Sequence, residues 1–235
     1  METDQEKGGV KGWPWQIKAT IVIVAVYLGI AFSLYIRLKH LPGPYYGGDL
    51  YAHHGFAINY IANGFWTDPY FINNYAFYPW LGNYLFIALS LLPGLTLMKA
   101  EIFVGLLTTV LSAIAFYFLG WQLFKNRTWA LAFLLLSLAT RAIPDGAPNL
   151  VPSMITIPFW FAFWLKAEET NKLRDKLLSG LFMGLTSLAH VAFFLAAMAV
   201  FVFTIIIETL RQKEKKRAFV DALKLYIPMI LAGFV

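Results

Sequence analysis

The chain has 235 residues, 59% hydrophobic and only 14% charged, with a net charge of +6 at pH 7. So much apolar side chain with so little charge excludes an ordinary water-soluble monomer. Cysteine is absent, which excludes a disulfide framework, a thiolate nucleophile and a cysteine-ligated metal, and leaves oxygen and imidazole groups for any chemistry. The Lys and Arg residues lie between apolar runs and form no aromatic-interleaved patch, so the basic charge points to orientation in a bilayer and to no nucleic-acid partner.

In chain order, a tail over 1–18 carrying Lys7, Lys11 and Lys18 precedes the first apolar run, 19–36, which is long enough to cross a bilayer core of roughly 30 Å as a helix. Leu38-Lys39-His40-Leu41-Pro42 offers no small-residue cleavage site, so the run reads as an uncleaved anchor with the N-terminus in the cytoplasm. Further runs cover 102–124, 128–140, 150–165, 177–210 and 218 to the end, all within a single transmembrane domain. Short basic clusters separate them: Lys125 and Arg127; Lys166, Lys172, Arg174 and Lys176; and Arg211, Lys213, Lys215, Lys216 and Arg217. The excess of Lys and Arg in cytoplasmic loops places all three clusters inside. That requires 177–210 to enter and return as a tight hairpin turning near Ala189-His190, each arm short for a crossing and paying for it in modest mismatch. Residues 38–99 and 141–149 then lie outside, and the apolar stretch 79–92 becomes an embedded or interfacial helix stopped at Pro93-Gly94. The expected fold is all-α: a polytopic transmembrane helical bundle of about seven crossings in the cell membrane, with interfacial helices in the first outer loop. Val235 falls inside an apolar run, so the chain reads as the N-terminal part of a longer protein.

The first outer loop concentrates the chemistry. Between Leu41 and Trp80 it is dense in aromatics, Gly, Pro and Asn. Gly47-Gly48-Asp49, followed by a run to Asn63-Gly64, reads as a helix with an acidic start and a glycine stop. Tyr51, Phe56, Tyr60, Phe65 and Trp66 suit the headgroup region. Asp49 and His53 are four apart and project from one face of that helix, whereas His54 points elsewhere. An acid at a helix start stays ionised and serves a general base or a metal ligand equally; the plain alternative is an N-cap. Sharing that face, Asp49 and His53 could act together on one substrate as a catalytic pair, while for His53 and His54 an ordinary interfacial role reads equally with a catalytic one. Asp68 before Pro69 is a common turn pairing. Asp with two His could hold a divalent metal, although no recognised ligand spacing is met. The second outer loop adds Arg141 and Asp145, which face either a lipid phosphate or water. His190, inside an otherwise apolar hairpin, is a functional candidate or a residue that only bonds the turn backbone.

These features in order resemble the GT-C superfamily of membrane glycosyltransferases, which includes oligosaccharyltransferase catalytic subunits, protein mannosyltransferases and aminoarabinose transferases. The pattern covers the whole chain: one anchor helix, an outer loop with an early acid in Gly48-Asp49-Leu50-Tyr51-Ala52-His53, then Tyr78-Pro79-Trp80 leading into an apolar helix. A basic turn follows Trp121-Gln122-Leu123-Phe124, and after the second outer loop Ser179-Gly180-Leu181-Phe182-Met183-Gly184-Leu185 leads to Leu188-Ala189-His190. The resemblance implies a polyprenyl-phosphate-linked sugar as donor, reaction on the extracytoplasmic side and Asp49 as the first-loop acid. It also implies Asp145 at the place of a second-loop acid, although Arg141 here precedes Pro144, where the family often has the proline first.

On that footing an acceptor hydroxyl or amide attacks the anomeric carbon as the lipid phosphate departs, with Asp49 taking the proton or orienting the nucleophile. Arg141 is the outer-face cation for the departing phosphate. Tyr46, Tyr51 and Trp66 stack on the sugar or line the lipid entrance. Two other readings stand beside this one: a lipid or solute transporter in which His190 relays protons, and a non-catalytic membrane scaffold.

Overall fold

A computed structural model describes residues 13–36, 44–64, 67–68, 81–139, 150–211 and 215–233. Every secondary-structure element in them is helical, which bears out the all-α class: α1 (Trp15–Ile36), α2 (Pro44–Asn63), α3 (Leu81–Ser90), α4 (Leu97–Phe124), α5 (Arg127–Ala139), α6 (Leu150–Thr170), α7 (Leu173–Ala189), α8 (Val191–Arg211) and α9 (Lys215–Gly233). Two of them are long and apolar enough to cross a membrane, α4 with 28 residues and α8 with 21.

The elements start and stop where local chemistry dictates. The Thr96 hydroxyl accepts from the Lys99 amide at 3.3 Å and starts α4, satisfying one of the amides that a helix N-terminus leaves without a partner. Its far end closes on Lys125, held in the left-handed region at φ 49° with its amide donating to the Trp121 carbonyl. Asn126 then caps α5 by accepting from the Thr128 amide at 2.9 Å. Asn171, at φ 52°, makes the sharp reversal from α6 to α7, a conformation that Asn tolerates better than most residues.

α6 and α7 form the most intimate pair. Thr186 donates to Thr156 across their interface at 2.9 Å, and Ser179 reaches the Trp160 carbonyl at 3.5 Å. At the turn the fully buried Asp175 carboxylate accepts from Thr170 at 2.8 Å and lies 3.5 Å from Arg174 and 3.9 Å from Lys166. α9 runs parallel to α7 and touches it backbone to backbone. A Cβ at Gly180 would sit 2.0 Å from the Met229 carbonyl oxygen, and one at Gly184 would sit 2.5 Å from that of Gly233. This is small-residue packing of the kind used where helices must approach closely in lipid. Trp160 and Trp164 of α6, Phe201 of α8 and Tyr226 of α9 fill the centre.

Polar contacts tie the basic turns to one end of the bundle. Lys125 pairs with Glu169, Gln16 reaches Thr128, Glu168 accepts from the Tyr226 hydroxyl at 2.7 Å, and Lys176 donates to the Lys224 carbonyl. α2, α3, the start of α4 and the break at His190 occupy the other end. The stretch 177–210, expected as a hairpin, falls on α7 and α8, which are separated at His190.

Candidate functional site

The far end of the bundle is built on three short packings. α3 is only ten residues long and buries Phe86 and Ile87 against Phe56, Ala57 and Tyr60 of α2 and Ala100 and Val104 of α4. At a rise of about 1.5 Å per residue its ten residues span about 15 Å, too short to cross a bilayer core of roughly 30 Å. The turn after it ends on Gly94 at φ 82°, a conformation that glycine adopts without strain. Gly64, at φ 97° and donating to the Tyr60 carbonyl, closes α2 in the same way.

α2 begins at Pro44, five residues before the expected acidic start. Asp49 therefore lies in the second turn of the helix, which corrects its reading as the N-cap; Pro44 takes the first helical position, for which proline is well suited. Tyr51 follows in the same helix.

The two histidines hold α2 down on different neighbours. His53 Nδ1 meets Asn83 Oδ1 of α3 at 2.8 Å, its ring lies edge-on to Phe56 at 5.3 Å, and the residue is 2% exposed. His54 Nδ1 meets Glu101 Oε1 of α4 at 2.8 Å. Glu101 is buried, whereas the His54 side chain remains 27% exposed. Thus His53 and His54 point to different elements, as their adjacency on a helix requires, and His54 is the one that stays partly exposed. The second carboxylate oxygen of Glu101 and the amide nitrogen of Asn83 are buried with no hydrogen-bond partner among the described residues. Neither Glu101 nor Asn83 was among the residues singled out from sequence. A legible signal for Glu101 existed in Thr96, whose cap places that acid inside α4 rather than ahead of it.

His190 sits between α7 and α8. Its backbone amide donates to the Thr186 carbonyl, its Nδ1 accepts from the Phe193 amide at 3.5 Å, and its ring stacks edge-on to Phe193 at 4.6 Å. It thus ends one helix and starts the next, using the backbone of the turn. Asp68 lies just beyond α2, next to Thr67, whose hydroxyl donates to the Gly64 carbonyl at 2.7 Å. Arg141 and Asp145 lie outside the described residues, as do Phe65, Trp66 and the Tyr78-Pro79-Trp80 motif. Among the described residues no cluster of three His, Asp or Glu side chains could hold a metal ion.

Chemically, the arrangement offers a partly exposed imidazole whose Nδ1 is engaged by a buried carboxylate. Such a partner fixes the ring and its tautomer, leaving Nε2 as the working nitrogen. Searches against protein-family models, curated proteins and solved structures find no match for this chain.

Proposed function

We propose that this chain is the membrane core of a glycosyltransferase that passes a sugar from a polyprenyl-phosphate-linked donor to an acceptor on the extracytoplasmic face. In this reading α1 and α4 to α9 are the seven crossings, the basic turns lie in the cytoplasm, and α2 and α3 rest at the outer boundary. The observation that carries it is the pinning of α2, the helix bearing Asp49, to α3 and α4 through His53–Asn83 and His54–Glu101 at the end of the bundle away from the basic turns. A donor whose tail stays in lipid presents its phosphate and sugar at that depth. The acceptor attacks the anomeric carbon, the bond from that carbon to the phosphate oxygen breaks, and Asp49 receives the acceptor's proton or orients it. Arg141 supplies the countercharge for the departing phosphate.

Asp49→Asn tests the reading. Because Asp49 lies within the helix, Asn keeps the size and removes only the charge. Sugar transfer should fall at least about 100-fold, the scale of losing a general base, with membrane insertion unchanged. Normal turnover by this variant would exclude Asp49 from the chemistry.

A second reading, proton-coupled transport, is favoured by one feature: the Glu101 carboxylate is buried beside His54 with one oxygen unpartnered among the described residues. Ionisable groups at membrane depth commonly mark proton paths. Proteoliposomes separate the two, since Glu101→Gln would abolish proton-driven uptake in a transporter, whereas a transferase shows no such flux in the parent protein.

A further inference from the structure

The end of the bundle that carries the basic turns holds a groove of about 630 Å³, within the range of small-molecule sites of roughly 300–1,000 Å³. It runs between α1, α4 and α6, with Ile21, Phe118 and Phe159 contributing one hydrocarbon wall each. Tyr117 and Trp121, one turn apart on α4, floor it, and Arg127 stands at its mouth. Among the described residues, two polar groups of this mostly apolar groove have no carboxylate or carbonyl to serve. The Tyr117 hydroxyl is buried without a hydrogen-bond partner among the described residues. The Arg127 guanidinium lies 5.8 Å from the Trp121 ring centroid. None of the ion pairs among the described residues involves it.

We infer that this groove binds one anionic glycerophospholipid, with the phosphate on Arg127, an ester carbonyl accepting from the Tyr117 hydroxyl, and an acyl chain lying along Ile21, Phe118 and Phe159. The order of depth agrees: the Arg127 guanidinium lies against Trp121 and Tyr117 follows one turn further from the end of α4, as an ester carbonyl follows its phosphate into the bilayer. The charge agrees as well. Arg127 pairs with no acid among the described residues, so it attracts a headgroup of net negative charge over a zwitterionic one, whose ammonium it repels. The orientation under "Proposed function" makes this a lipid of the inner leaflet, on the opposite side from the donor.

Native mass spectrometry of the purified protein in detergent, titrated with phosphatidylglycerol and with phosphatidylcholine of identical chains, tests the site. Both faces are accessible there and no turnover is needed, so the result is independent of the transfer reading. The protein should retain one phosphatidylglycerol with a preference of about fivefold or more, the effect of a single partly screened charge contact. Arg127→Gln should erase the preference, Arg127→Lys should keep most of it, and Tyr117→Phe should weaken both lipids alike. Ile21→Trp should fill the groove and remove both. Equal retention of the two lipids by the parent protein, or an unchanged preference in Arg127→Gln, would overturn the assignment. Displacement of the lipid by excess inorganic phosphate would show that the headgroup alone is held and would overturn the role of the groove.

Discussion

His53 and His54 are neighbours in sequence and separate in function because α2 turns them onto different helices. His53 is closed in by Asn83 and Phe56, so it positions α2 rather than touching a ligand. His54 keeps its outer nitrogen available while Glu101 holds the inner one. Glu101→Ala should therefore loosen α2 from α4 by about 1.5–3 kcal/mol, the cost of losing a hydrogen bond that involves a charged group. The change would be read as a lower melting temperature in detergent and faster proteolysis of the segment around α2. His54→Gln, which can still hydrogen-bond the carboxylate, should recover part of the loss. A Glu101→Ala protein that melts and resists protease like the parent would show that the pair contributes nothing to the docking of α2.

At the scale of elements, the contact of α7 with α9 is the most demanding in the bundle, because Gly180 and Gly184 meet carbonyl oxygens rather than flexible side chains. Backbone cannot retreat as a side-chain tip can, so Gly180→Ala must push the two helices apart. We expect a loss of about 1–3 kcal/mol, as for overpacking elsewhere, and Gly180→Leu should prevent the α7–α9 contact altogether. A cysteine pair placed across this interface reports it: cross-linking should weaken in the alanine variant and vanish in the leucine variant, and undiminished cross-linking in both would exclude the close packing. The spacing of these glycines is legible in sequence, but their partner is not, since Gly233 is 49 positions beyond Gly184 and only the folded chain brings them together. The helical runs were legible because their apolar composition is strong and the breaks at Lys125, Asn171 and His190 carry clear turn chemistry. The start of α2 was not, because Gly47 and Gly48 looked like the edge of a helix while Pro44 supplied the true one. Glu101 was missed for a related reason: the apolar run begins at Ile102, whereas the helix begins at the Thr96 cap. The roles of Arg141 and Asp145 rest on sequence alone.

For the whole molecule, the outward face decides the environment. α8 exposes Leu195, Phe203 and Leu210 to 60% or more, and Trp129 and Leu136 of α5 are equally bare. Contiguous apolar surface on this scale is unfavourable in water and natural in lipid. The bundle also separates charge along its axis: Lys125, Lys166, Lys172, Arg174 and Lys176 sit at one end, where Lys125 pairs with Glu169 and both Lys166 and Arg174 with the buried Asp175, while His54 and Glu101 sit at the other. Lys and Arg near the ends of membrane segments hold those ends in the cytoplasm, so one orientation satisfies every basic turn at once, and the inverted one would expose all of them outside. Single cysteines at positions 125, 172 and 215 should resist a membrane-impermeant maleimide in intact cells and react once the cells are opened. A cysteine at position 49 should react from outside. Because α7 and α8 form one hairpin between the second and third basic turns, positions 172 and 215 must behave alike. Labelling of 172 but not 215 from outside would break that hairpin as a pair of crossings, and labelling of all three would invert the bundle and move α2 to the cytoplasmic side, where a lipid-linked donor on the outer face could not reach it.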